Sequence, residues 1–306
     1  MTAAGGIIDG VGFSTAEGHQ DLAGLDRTLG ELEEVGADYA ELSLCAMDLI
    51  VDRRVLKDRR DHLDEICRRR DLRYTVHGAL SCNLMDEAHL ELHKGVVRAM
   101  LELCDAVGAV TLVHHPGTVP ARPQPAIDRL HEIERGALRE LGDVAARYGV
   151  RLAVETLYVE SADGYTADPF RLAREIAAVD HPRVCGTLDF SHVAIMSTCR
   201  GLDFAAAVRA FAPFANHLHV HDSFGRPRTV AGYTESEDLA FGMGDLHLPI
   251  GWGGIDWDGI LPGLPLRPDT VLIVELRPRY WSELGACADA ARRLADLLNG
   301  GRAPAA

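Results

Sequence analysis

The stretch DAVGAVTLVHHPG at residues 105–117 decides the fold. It reads as the end of a helix, a glycine stop at Gly108, a β-branched strand and a polar strand end. The same phrase returns as AARYGVRLAVET at residues 145–156, with Gly149 as the stop, and as LEEVGADYAELSL at residues 32–44, with Gly36. Glycine is placed there because a helix commonly closes on a left-handed residue that only glycine adopts without strain. A helix–glycine–strand junction that repeats is the mark of chained βα units.

Working outward, short apolar runs recur along the chain, each followed by a stretch of helical periodicity. The expected strands are Ile7–Phe13, Asp38–Leu44, Arg73–His77, Val110–His114, Arg151–Glu155, Val184–Asp189, His217–His221 and Val271–Glu275. Apolar residues at three- and four-residue spacing predict helices over Asp21–Val35, Asp86–Val107, Pro125–Tyr148 and Ser282–Leu298. Eight such units predict an α/β fold, a single (β/α)8 TIM barrel over residues 1–298, with a mobile tail at 299–306. The segment Asp222–Asp269 breaks the spacing: it is a long loop between the seventh and eighth strands, and such loops commonly carry function.

The 306 residues carry 31 basic and 46 acidic side chains, a formal charge of −15. That field repels a phosphate backbone, so neither nucleic acid nor an anionic membrane is expected as partner. The first ten residues lack a basic and apolar leader and no membrane-length apolar run follows, which predicts a cytoplasmic protein. Seven scattered cysteines without a Cys-x-x-Cys pair read as reduced thiols. A homo-oligomer is compatible with the sequence, and nothing in it requires one.

Chemistry in such a barrel lies at the C-terminal strand ends. Those ends carry His77, His114–His115, Glu155, Asp189 with His192, His219–His221, and Glu275. Alone, each histidine reads as a hydrogen-bonded core residue and each carboxylate as a helix cap or an arginine partner. Together, imidazoles and carboxylates converging on one mouth are what a divalent metal (Zn, Mn, Fe or Co) requires, and burying them uncompensated would be costly. Alternation on the seventh strand sends His217, His219 and His221 to one face, with His219 near the mouth and the other two supporting it. His62, His89, His93, His131 and His181 read as surface residues. Glu41, Asp48 and Asn83 near strand ends are explained equally well by capping and loop hydrogen bonds.

These residues carry a resemblance. The runs Val76-His77-Gly78, His115-Pro116-Gly117, Ala153-Val154-Glu155-Thr156, Leu188-Asp189-Phe190-Ser191-His192, Leu218-His219-Val220-His221-Asp222, Asp245-Leu246-His247, Gly251-Trp252-Gly253 and Val274-Glu275-Leu276 resemble the xylose isomerase-like TIM-barrel superfamily over nearly the whole chain. That superfamily holds sugar isomerases and epimerases as well as the DNA-repair endonuclease IV. The resemblance implies a metal held by Glu155, Asp189, His219 and Glu275. An endonuclease-like multinuclear set would add His77, His115, His192, Asp245 and His247. His115 is preferred over His114 only because Pro-Gly follows it.

Two chemistries follow. The first is divalent-metal-dependent isomerisation or epimerisation of a small carbohydrate-like substrate, with Glu155 and Glu275 moving the proton; Trp252 and Trp257 are explained equally well by covering the sugar and by packing within their loop. The second is phosphoester hydrolysis of a small phosphorylated substrate rather than DNA, with the phosphate on Arg226, Arg228, Arg279 or, best placed by parity with Glu275, Arg277. The acidic surface favours the first.

Overall fold

The computed structural model describes residues 6–15, 19–159, 161, 163–230 and 232–300. Eight parallel strands close into one barrel: β1 (Ile8–Ser14), β2 (Tyr39–Ser43), β3 (Arg73–His77), β4 (Thr111–His114), β5 (Arg151–Glu155), β6 (Val184–Asp189), β7 (Ala215–Val220) and β8 (Thr270–Val274). Every strand pairs with its sequence neighbours, and β1 closes on β8 through Val11 opposite Leu272. Three of the expected strands match residue for residue, and the rest differ by one or two residues at an end.

Around the barrel run α1 (Leu25–Glu34), α2 (Lys57–Arg68), α3 (Leu90–Val107), α4 (Gln124–Tyr148), α5 (Pro169–Val179), α6 (Phe190–Arg200), α7 (Phe204–Phe211) and α10 (Leu284–Leu298). Gly36, Gly108 and Gly149 hold φ of 72°, 68° and 73°, the left-handed stops their place in the sequence predicts. Alternation then sorts the strand residues. Leu112, Leu152, Val154, Leu188, Leu218, Leu272 and Val274 face the helices in the main core, while Tyr39, Val271 and Ile273 form a separate cluster with Val110. We read that small cluster as the apolar floor of the barrel interior, below the polar residues of the other end.

The β7–β8 connection is not structureless. It contains α8 (Glu235–Phe241), with a capping box between Thr234 and Glu237, and α9 (Trp257–Ile260). Buried Asp222 gathers it, accepting hydrogen bonds from the backbone N–H of Gly251 at 2.8 Å and Ser223 at 3.1 Å, and from Trp257 Nε1 at 3.4 Å. Trp257 therefore packs inside, its ring 5.2 Å from Phe190, and is unavailable to cover a substrate.

Three further expectations change. His131 is fully buried, because α4 turns it inward to Tyr165 Oη at 2.7 Å and Glu134 at 3.3 Å; His93 and His181 are half-buried. At the expected mobile tail, Asn299 is fastened, its Oδ1 accepting from Ile8 N–H at 3.0 Å, whereas residues 301–306 lie outside the described ones. Cys67, Cys82, Cys104, Cys185, Cys199 and Cys287 are free thiols; the side chain of Cys45 lies outside the described residues.

Candidate metal centre

Alternation fixes which side chains enter the barrel. Leu112 faces the helices, so His114, two residues on, does too, and His115 turns inward. Its Nε2 lies 3.1 Å from Glu155 Oε2. The parity that the sequence left open at this strand end is thus resolved in favour of His115. His114, buried and close to His115, His93 and His77, is pushed down to about 3, first by burial and then by those neighbours.

Around Glu155 stand four imidazoles. His219 Nδ1 is 3.0 Å and His192 Nδ1 3.3 Å from Oε1, while His115 Nε2 and His77 Nε2 approach Oε2 at 3.1 Å and 3.4 Å. Oε2 nevertheless has no aligned hydrogen bond, so the nitrogens point toward a shared space more than toward the oxygen. Glu275 comes from the far side, Oε1 3.6 Å from the same His219 Nδ1. Asp189 divides its carboxylate: Oδ1 caps α6 by accepting from His192 N–H at 2.7 Å, and Oδ2 lies 3.1 Å from His221 Nε2. Capping and site duty coexist on one residue. Asp245 meets His247 Nε2 at 2.6 Å and His192 Nε2 at 3.2 Å. His247 reaches this place on a left-handed backbone, φ 46°, a strained conformation for a non-glycine residue.

The outer nitrogens of these rings carry the more telling pattern. His77 Nδ1 contacts Gly78 O at 3.1 Å, His192 Nδ1 contacts Thr156 O at 2.9 Å, and His247 Nδ1 contacts Glu275 O at 3.2 Å. A carbonyl only accepts, so each Nδ1 carries a proton, and each Nε2, once it gives up its own proton, would present a lone pair to the cluster. His219 is reversed: Nε2 lies 3.0 Å from Glu41 Oε1, which leaves Nδ1 for the mouth. Glu41 Oε2 lies 3.0 Å from His217 Nε2 and accepts from Thr75 Oγ1 at 3.0 Å.

Glu41 is the buried carboxylate of this cluster that sequence reasoning set aside. The signal was available: it sits on β2 with the parity of Tyr39, an inward residue, one step nearer the mouth. His221 also enters the cluster more deeply than expected, its ring stacked 4.0 Å from His247 and its Nδ1 unpartnered.

Electrostatics follow from burial and mutual charge. Burial alone would lower the histidines and raise the carboxylates, but the neighbours prevail. The adjacent Glu155 carboxylate, with Glu41 and Glu275, holds His77 up at about 9; Asp245, with Glu275 and Asp189, holds His247 up at about 9. His192 and His219 are raised well above the usual range by their carboxylates. Glu41, Glu155 and Asp245 are held well below theirs by the surrounding imidazoles.

The donor set fits a divalent cation. In the trios His77–His115–Glu155, Asp189–His192–His221 and His221–His247–Glu275, the donor atoms lie within 4.8 Å of one another. Neutral imidazoles with oriented lone pairs beside buried carboxylates are ligands for zinc, manganese, iron or cobalt. Trp252 stands half exposed, its ring 5.7 Å from Tyr280. Arg277 donates to Asp245 O at 3.1 Å and lies 3.6 Å from Glu235, while Arg228 and Arg279 pair with Asp238 and Glu235. Arg226 lies over the Phe224 ring. A groove of about 690 Å³ between α6, α7 and the β7–β8 connection holds none of the converging carboxylates and is not the site.

A family model described as xylose isomerase-like TIM barrel matches residues 29–297. No curated protein matches the chain. Among solved structures, a D-tagatose 3-epimerase-like protein superposes with TM-score 0.68 at 18% identity, covering 95% of this chain and 98% of that one. The 3-keto-D-glucoside 4-epimerase from E. coli gives 0.64 at 16%, covering 93% and 99%. The IolI protein with a bound zinc atom gives 0.66 at 18%, covering 96% and 100%. At such identities the likeness speaks for the fold, and the family match agrees with it over most of the sequence. The chain belongs to the xylose isomerase-like TIM barrel family.

Proposed function

We propose that the protein is a divalent-metal-dependent isomerase or epimerase of a small sugar or sugar derivative. Glu155, Asp189, His219 and Glu275 would hold the principal ion, which would supply the charge that polarises a substrate carbonyl and its neighbouring hydroxyl. Glu155 and Glu275 would act on the substrate carbon as base and acid, one removing its proton and the other returning it. The observation that carries this reading is their shared neighbour: His219 Nδ1 is 3.0 Å from one carboxylate and 3.6 Å from the other. Trp252 offers an apolar face at the rim, and Arg277, anchored on Asp245, binds a polar substituent. The epimerases among the structural neighbours, and the zinc bound by the IolI protein, support the same class.

The test is solvent exchange. Metal-loaded protein incubated with a panel of ketoses and aldoses in D2O incorporates deuterium beside the carbonyl of its substrate, and Glu275→Gln abolishes that exchange. A panel of sugars left entirely unexchanged by the loaded protein, or exchange that survives Glu275→Gln, would sink the assignment.

A second reading is phosphoester hydrolysis of a small phosphorylated substrate at a multinuclear site. It is favoured by one observation: His77, His115, His192, Asp245 and His247 crowd around the same core, with the Nε2 atoms of His77, His192 and His247 turned inward by the carbonyl contacts of their Nδ1 atoms. Release of inorganic phosphate from sugar phosphates, without proton exchange at carbon, distinguishes it.

A further inference from the structure

Outside the barrel mouth, where the loop after β3 enters α3, one carboxylate and two imidazoles meet. Asp86 Oδ2 lies 2.9 Å from His89 Nδ1 and 3.4 Å from His93 Nε2. The other oxygen, Oδ1, is engaged by the backbone N–H of Ala88 at 3.1 Å and of His89 at 3.3 Å, which fixes the carboxylate and leaves Oδ2 to the two rings. His89 and His93 are four residues apart, with His93 N–H donating to His89 O at 3.0 Å, so both rings rise from one face of the helix start.

A second observation lies behind them. His114 faces this helix layer, is 3% exposed, and its Nε2 has no hydrogen-bond partner among the described residues. The helix that carries His93, α3, packs directly against β4, the strand that ends in His114. An orphaned buried nitrogen is costly unless something binds it.

We propose that Asp86, His89 and His93, with His114 on the inner side, form a second divalent-cation site on the outer wall of the barrel. Its ligand class is a borderline-soft ion such as zinc, nickel or cobalt, which prefers imidazole with a single carboxylate. The two-histidine spacing at i and i+4 is one that lets a helix hold a metal from one face. The site does not depend on the barrel-mouth reading.

Its consequence is local. Asn83 donates to Thr118 O at 2.7 Å, and Met85 fills the space a side chain at Gly117 would need. The loop from His77 to α3 therefore already leans on the His115–Thr118 segment, and an ion at Asp86 pins its far end to α3.

Zinc ions bound per chain are counted by mass spectrometry after equilibration of the full chain with a small excess of zinc, for wild type, His89→Ala and His93→Gln. His89 is largely exposed and His93→Gln keeps most of the volume, so circular dichroism is expected to match wild type for both. The proposal predicts one zinc ion fewer in each variant, with the mouth ions retained. Equal zinc counts in wild type and both variants overturn it.

Discussion

Replacing Glu41 by glutamine removes a charge and almost no volume from a fully buried position. The Glu41 carboxylate serves three partners, the Nε2 atoms of His217 and His219 and the hydroxyl of Thr75, each at 3.0 Å. A glutamine offers one acceptor oxygen and one donor NH2. If the NH2 faces His219, Nε2 must become the acceptor and the proton must move to Nδ1, the nitrogen that the barrel mouth uses. If the oxygen faces His219, the ring keeps its tautomer but loses the anionic partner that makes it a stronger base, and the NH2 is turned on His217 and Thr75. Outer partners of ligating imidazoles are worth roughly 10–100-fold in metal affinity, which is about 1.4–2.7 kcal/mol. Glu41→Gln is therefore expected to weaken zinc or cobalt binding by about 10–100-fold in a chelator-competition titration. Thr75→Val, which removes only a neutral donor to the same carboxylate, should cost much less. Affinity in Glu41→Gln within about threefold of wild type, with the fold intact by circular dichroism, would refute the claim that Glu41 orients His219.

Further outcomes follow from the same geometry. His77 and His247, held up at about 9, must be neutral to bind a cation, so metal affinity is expected to climb as pH rises from about 6.5 toward 9 and then level off. In the metal-free protein the sign is opposite for stability: histidines with raised folded values stabilise fully below about pH 6.5 and lose that contribution as pH rises through about 9. Thermal unfolding of chelator-treated protein should show this fall; a melting temperature that rises over that interval contradicts it. Gly12→Ala places a Cβ against the Tyr39 carbonyl and 2.6 Å from Tyr39 Cβ, between β1 and β2. With backbone on the other side there is little room to yield, and a loss of about 1–3 kcal/mol or more is expected by urea unfolding.

The barrel was legible because its message is repeated: glycine stops before Ala37, Ala109 and Val150 announce strands, and period-two alternation assigns their faces. The mouth residues were legible because strand ends are where polar residues have no packing reason to gather. His114 and His115 could not be told apart, since alternation at a strand end needs the backbone to say where the strand stops. Glu41 was missed for a different reason. Its parity with Tyr39 turns it inward, but its partners His219 and His217 lie on β7, and a contact between β2 and β7 across the barrel interior is not written in local sequence. His131 failed similarly, a histidine on a helix that reads as surface until Tyr165 appears beside it, whereas for Trp257 the contact with Asp222 selects loop packing from the two readings the sequence leaves open.

The central claim, a divalent ion held by Glu155, Asp189, His219 and Glu275, is tested most directly by crystals grown with zinc or cobalt and anomalous diffraction at that metal's absorption edge. The account predicts a peak at the barrel mouth about 2.0–2.3 Å from His219 Nδ1 and from carboxylate oxygens of the other three residues. A mouth without an anomalous peak, in crystals soaked to saturation, would contradict it.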